Sequence, residues 1–173
     1  MGYILKKKYL RPKGLLRVNT MSLDQIDVRI LEVLQQNARV SVSELSKRVN
    51  LSLSAVSERL KKLESSGIIE QYTTILDPVA LNKQASALMM VSLENPSSSD
   101  DFLNFVQGNP EILECYYLAS EYDYCIKIVT GTNAELEAIL NKIKSVSSIK
   151  RTVTNVVLRN VKLQYSIKPV ATK

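Results

Sequence analysis

From Leu23 onward the apolar residues Leu23, Ile26, Ile30, Leu31 and Leu34 recur at helical spacing, and "QQNAR" ends the pattern. A helix is predicted over 24–36. In "SVSELSKRVNL", Ser41 and Glu44 stand at the spacing of a capping box, and Leu45 and Val49 give a short second helix its buried face. "NLS" reads as the turn. Ser52 then caps a third helix over 53–66, striped by Val56, Leu60 and Leu63 and stopped at Gly67. Three helices, the last two joined by a short turn, make a helix-turn-helix unit.

The third helix carries an uneven outer face. With Val56, Leu60 and Leu63 inward, Ser54, Ala55, Ser57, Glu58, Arg59, Lys61 and Lys62 are wholly or partly outward. Small side chains near the start of a recognition helix permit close approach to base edges in the major groove. Ser54 and Ser57 can exchange hydrogen bonds with bases or phosphates, while Arg59, Lys61 and Lys62 suit phosphate contacts that fix register. With the cap Ser52 these form the candidate DNA-binding set. A solvated face in a protein-interaction module has the same pattern, so periodicity alone leaves both open.

Beyond Gly67 the pattern becomes alternating. "IIEQYTTIL", 68–76, reads as a wing strand, broken at Asp77-Pro78 and followed by a linker to 84. "ASALMMVSLE" predicts a strand over 85–94, and a helix follows over 99–107, stopped at Gly108 and Pro110. "ILECYYLA" and "YDYCIKIV" read as a hairpin joined by a tight "SE" connection. Thr132 and Glu135 open another helix, with Leu136, Ile139, Leu140 and Ile143 on one face, and "KRTVTNVVL" is the last strand. The class is α+β: a winged helix-turn-helix followed by a ferredoxin-like β-α-β-β-α-β domain. The expected divisions are an extension 1–21, a DNA-binding domain 22–70, a wing and linker 71–84, a sensing and assembly domain 85–168, and a tail 169–173. Two helices cover one face of such a sheet, and the other face calls for a partner.

Composition narrows the chemistry. The 173 residues are enough for one or two domains, and 45% hydrophobic with 23% charged residues is the balance of a globular chain. The longest apolar runs fall far short of the roughly 20 residues of a membrane helix, and the start reads as no signal peptide. Cys115 and Cys125 are too few for a disulfide framework, and read as packing residues in a reducing, cytoplasmic setting. With no histidine in the chain, His-based triads and most zinc sites are excluded. No phosphate-binding glycine loop is present either, so no catalytic residue, metal or cofactor is assigned.

The net charge of +6 is confined to the start: Lys6, Lys7, Lys8, Arg11, Lys13 and Arg17 account for it, leaving 17 basic and 17 acidic residues over 21–173. That acid-free stretch reads either as an arm on DNA or as a solvated tail, and Met21 stands as an alternative start.

Two stretches carry a family resemblance. Leu23, Asp24, Asp27, Ile30 and Leu31 follow L-D-x-x-D-x-x-I-L, and Val56, Arg59, Leu60, Leu63, Glu64, Gly67, Ile68 and Ile69 follow V-x-x-R-[IVL]-x-x-L-E-x-x-G-[IV]-I. With the domain order, this resembles the Lrp/AsnC (leucine-responsive, feast/famine) transcription regulators over about 22–168. The resemblance implies binding to double-stranded DNA, homodimers through the C-terminal domain that assemble to octamers, and a small amino-acid effector held between dimers. It also implies an effector loop of the pattern G-x-x-D-Y, here Ser120, Glu121, Tyr122, Asp123 and Tyr124, with Thr152 and Thr154 as further pocket residues. Ser120 departs from the pattern. Glycine there leaves bare N–H groups for a ligand carboxylate, whereas serine adds a side chain and a hydroxyl. Either the pocket is differently selective or the site is lost, in which case an architectural DNA-wrapping protein is the alternative. Asp123 reads equally as a partner for a ligand ammonium or as a turn cap, and the two threonines equally as cross-strand pairs.

Overall fold

The computed structural model describes residues 22–95 and 99–172, so the basic extension lies outside the described residues. The described residues form two compact units: one within 75–163, the other made of 22–74 together with 164–172.

In the first unit, α1 is Gln25–Gln36, α2 Val42–Val49 and α3 Leu53–Ser65. Each start is fixed by a local cap. Asp24 accepts from the N–H of Ile26 and Asp27 at 2.9 and 2.8 Å, and Asp27 returns the bond by accepting from the Asp24 N–H at 3.2 Å. Ser41 accepts from the Glu44 N–H at 3.1 Å, but Glu44 does not complete a capping box because its carboxylate turns to Arg48, one helical turn on. Ser52 accepts from the Ala55 N–H at 3.2 Å. Asn50, at φ 55°, makes the turn into α3, and Gly67, at φ 75°, ends it. Ile30, Leu31, Leu45, Val49, Val56 and Leu63 close the core between the three helices.

The strand expected over 68–76 is not formed. Alternation makes a segment able to pair, but a strand exists only against a partner ladder, and no described segment offers one. The stretch is held instead by Tyr72, whose hydroxyl donates to Glu64 of α3 at 3.0 Å. Burial, with Glu64 beside it, pushes the Tyr72 phenol up to about 12.

The second unit contains β1 Ala85–Leu93, α4 Asp100–Gly108, β2 Ile112–Tyr117, β3 Tyr124–Thr130, α5 Asn133–Lys144 and β4 Ile149–Val156. The strands lie in the order β2-β3-β1-β4 with every pair antiparallel, as the ferredoxin-like reading requires. Ala87, Met89, Val91, Ile126 and Ile128 point to the helices, where Phe102, Leu136, Ile139 and Ile143 meet them. On the opposite face Leu88, Tyr116 and Val153 are 38%, 52% and 41% exposed. The hairpin differs from expectation: six residues, 118–123, join β2 to β3 rather than the pair Ser120-Glu121. The two compact units divide after Thr74 and after Leu163.

Candidate functional site

On α3 the outward set is laid out by its cap and stripe. Ser54, Glu58, Lys61 and Lys62 are exposed, Ala55 and Ser57 are half-buried, and the Ser52 hydroxyl lies 3.1 Å from that of Ser54. Arg59 corrects the expected phosphate set. Its Nη1 donates to Asp24 and to Asp27, both at 2.7 Å, so the guanidinium turns back toward the start of α1. The Asp27 side chain is 6% exposed and that of Arg59 is 29% exposed, which makes this a partly buried pair. By contrast, the Arg48–Glu44 pair is about half exposed on both sides, and such pairs contribute only about 0.3–0.5 kcal/mol. Donating to Asp27 and to Asp24 raises the Arg59 pKa further. In Asp24 the N–H of Asp27 is the main lowering influence; burial opposes it, and Arg59 adds to the lowering, so the pKa falls. Asp24 and Asp27 come from the first motif stretch and Arg59 from the second, so the two stretches together describe an internal clamp between α1 and α3.

The loop 118–123 is tied down by its own side chains. The Ser120 hydroxyl donates to the Tyr122 carbonyl at 3.0 Å and accepts from its N–H at 3.2 Å. Asp123 accepts from the Leu93 N–H at 2.7 Å, while its own N–H donates to the Val91 carbonyl at 2.9 Å. The carboxylate therefore anchors the loop to the end of β1, where the β1–β4 register shifts, rather than capping its own turn. Tyr122 is buried, and Arg151 of β4 both donates to its hydroxyl and lies 4.6 Å from the ring centroid. Arg151 also approaches Glu121 at 3.5 Å. Thr152 and Thr154 stand opposite Val91 and Met89, on the helix-covered side of the sheet. The sequence reading missed Arg151, whose only signal was its place beside Thr152.

Cys115 pairs across from Ile126 and Cys125 from Tyr116, so the two thiols sit on adjacent strands in neighbouring register positions. Both are free, and burial pushes the Cys115 thiol up to about 11. A thiol so protonated is a poor nucleophile and metal ligand. Among the described residues no cluster of Cys, Asp or Glu is placed to hold a metal ion, and no helix is long and apolar enough to cross a membrane.

Comparison with known proteins bears on both units. The winged helix-turn-helix DNA-binding family matches residues 23–70, and the Lrp/AsnC ligand binding domain matches residues 86–167. The HTH-type transcriptional regulator LrpC of Bacillus subtilis is 37% identical over 142 residues, covering 82% of this chain and 95% of that one. The chain belongs to the Lrp/AsnC family. It is a helix-turn-helix DNA-binding regulator with a ligand-binding domain. The HTH-type transcriptional regulator FL11 of Pyrococcus horikoshii is 35% identical, over 81% of this chain and 92% of its own length. Among solved structures, AsnC of E. coli superposes with a TM-score of 0.80 at 28% identity, over 86% of this chain and all of that one. A Neisseria meningitidis transcriptional regulator in complex with L-Met superposes at 0.79 with 35% identity, over 84% of this chain and 96% of that one.

Proposed function

We propose that α3 is the recognition helix of this Lrp/AsnC regulator, carried into the major groove by a two-fold dimer. The observation that carries this reading is the outward row of Ser54, Glu58, Lys61 and Lys62 on a capped helix whose one arginine is held elsewhere. Ser54, Ser57 and Glu58 address base edges, with Glu58 suited to accept from a cytosine amino group. Lys61 and Lys62 neutralise phosphates, and Arg59 holds the helix in place without touching DNA. The dimer forms through the uncovered sheet face around Leu88, Tyr116 and Val153, and further dimers assemble on it.

The test is the salt dependence of binding to a duplex selected from a random library. Lys61→Ala with Lys62→Ala should flatten the slope of log affinity against log salt by about one for each phosphate left without its lysine. An unchanged slope rejects the assignment. Little preference for the selected duplex over random DNA would favour the architectural, DNA-wrapping reading instead.

The ligand-binding domain takes an amino-acid effector at the loop 118–123, a reading supported by the L-Met complex of the Neisseria relative. Ser120 and Asp123 shape the loop, and Arg151 beside Tyr122 offers a cation for a ligand carboxylate. Thermal unfolding against a panel of amino acids tests this. A ligand present at about a hundred times its dissociation constant should stabilise the folded chain by about 2.7 kcal/mol. A flat panel rejects an amino-acid effector.

A further inference from the structure

The segment 164–172 follows the sheet unit in sequence yet belongs to the helical unit. It meets α1 at both ends. Near the C-terminal end of α1, Gln35 Nε2 donates to the Ser166 hydroxyl at 2.6 Å and to the Ile167 carbonyl at 2.7 Å. At the N-terminal end the Leu23 N–H donates to Thr172 Oγ1 at 2.7 Å, and the Thr172 N–H donates back to the Leu23 carbonyl at 3.1 Å.

The lengths agree. Leu23 to Gln35 spans about 18 Å at a helical rise of 1.5 Å per residue. Ser166 to Thr172 spans about 20 Å when extended at roughly 3.3 Å per residue. The segment therefore runs as a strap antiparallel to α1, with Pro169 and Ala171 partly buried along it while Ile167 and Val170 stay exposed. Its far end grips Leu23, the residue before Asp24. Asp24 caps α1 and, with Asp27, holds the Arg59 guanidinium of α3 at 2.7 Å.

We infer that the strap 164–172 is a positioning element for the recognition helix, acting through Leu23, Asp24 and Arg59. Nothing in the strap has to touch DNA for this. Fixing both backbone groups of Leu23 fixes where the Asp24 carboxylate stands, and that carboxylate together with Asp27 fixes Arg59 and so α3. The chain passes between the two units at 74/75 and again at 163/164, so the strap is also a second covalent route from the ligand-binding domain to the reading helix.

The inference rests on α3 being the helix that enters the groove, and its test separates the two claims. Three variants of the full chain are compared on the selected duplex: Gln35→Ala with Thr172→Val, a chain stopped after Leu163, and Lys61→Ala with Lys62→Ala. Circular dichroism establishes that each is folded, and the double substitution keeps the test open if the shortened chain unfolds. Proton exchange at the Arg59 guanidinium, followed by NMR, is the second readout, because general loss of stability in a still folded chain would not single out that side chain. Removing these few hydrogen bonds predicts that the strap variants bind about three- to tenfold more weakly, with faster exchange at Arg59. Affinity within about twofold of the parent overturns the inference, as does weaker binding with unchanged Arg59 exchange. If the lysine variant alone keeps full affinity, the reading of α3 fails; if it loses affinity and the strap variants do not, only the strap's role fails.

Discussion

The helical unit turns the apolar stripes of three helices toward one another around Ile30, Leu45, Val56 and Leu63, and the outer face of α3 carries Ser54, Glu58, Lys61 and Lys62. The sheet unit covers only the side carrying Met89, Val91, Ile126 and Ile128, and what it leaves outside includes Leu88, Tyr116 and Val153. Their ion pairs differ in the same sense. Arg59 lies partly buried between two carboxylates and joins α3 to the start of α1. Lys127 reaches Glu114 at 2.9 Å across neighbouring strands of the open face. In Glu114 burial works against ionisation, and the bonds from Lys127 and Tyr116 outweigh it, so its pKa falls. One unit closes its apolar core within the chain. The other leaves apolar side chains on an uncovered sheet face, where we propose that a second copy packs.

Breaking that contrast from the side of the sheet should give the largest effect. Leu88→Asp puts a carboxylate in the middle of the uncovered face of each protomer, where a partner would have to bury it. Burying one unpaired charge per subunit should weaken self-association by about a hundredfold or more, while changing the unfolding of each protomer little. Analytical ultracentrifugation reads the first and urea unfolding the second. An assembly of unchanged size would mean that this face is not where the copies meet.

The helical unit should respond in the opposite way, losing stability without losing a partner. Asp27→Ala removes the better buried of the two carboxylates on Arg59, leaving the half-exposed Asp24 as its remaining partner. The expected cost is about 2 kcal/mol, well above the few tenths expected for Glu44→Ala at the exposed Arg48 pair. Equal effects of the two substitutions in urea unfolding would show that the clamp is no more than a surface pair.

How far these differences were legible depended on how local their causes are. Three helix starts were readable because Ser41, Ser52 and Thr132 each accept from an N–H group three residues on. The succession β-α-β-β-α-β was readable element by element, and the ferredoxin-like motif it spells carries the sheet order with it. Arg59 was misread because a helical wheel gives the direction of a Cβ, not the reach of a long side chain toward carboxylates 32 and 35 residues earlier. The loop 118–123 was read as a two-residue turn because the partner of Asp123 is Leu93, thirty residues away. The alternating stretch 68–76 advertised a strand, but pairing is a property of two segments and only one was in view. In the strap, the bonds of Ser166 and Thr172 span more than a hundred residues, and no local pattern announces them.

The smallest expected effect is the titration of Asp24, and it sharpens the contrast because it acts on the clamp alone. The bond from the Asp27 N–H, with Arg59 beside it, lowers this carboxyl from its ordinary value of 3.8. For a depressed acid the sign is set: the stabilisation is full above the unfolded value and drains away as the pH falls through the lower folded one. Asp24→Asn isolates this charge, since asparagine caps a helix about as well as aspartate. The parent should therefore be more stable than the variant at pH 6, and the gap in urea midpoint should close as the pH drops below about 4. The gap itself should be modest, because the Asp24 side chain is 51% exposed and water screens it. A gap that stays constant from pH 6 downward would mean that Asp24 acts through its cap geometry and that Asp27 alone holds Arg59.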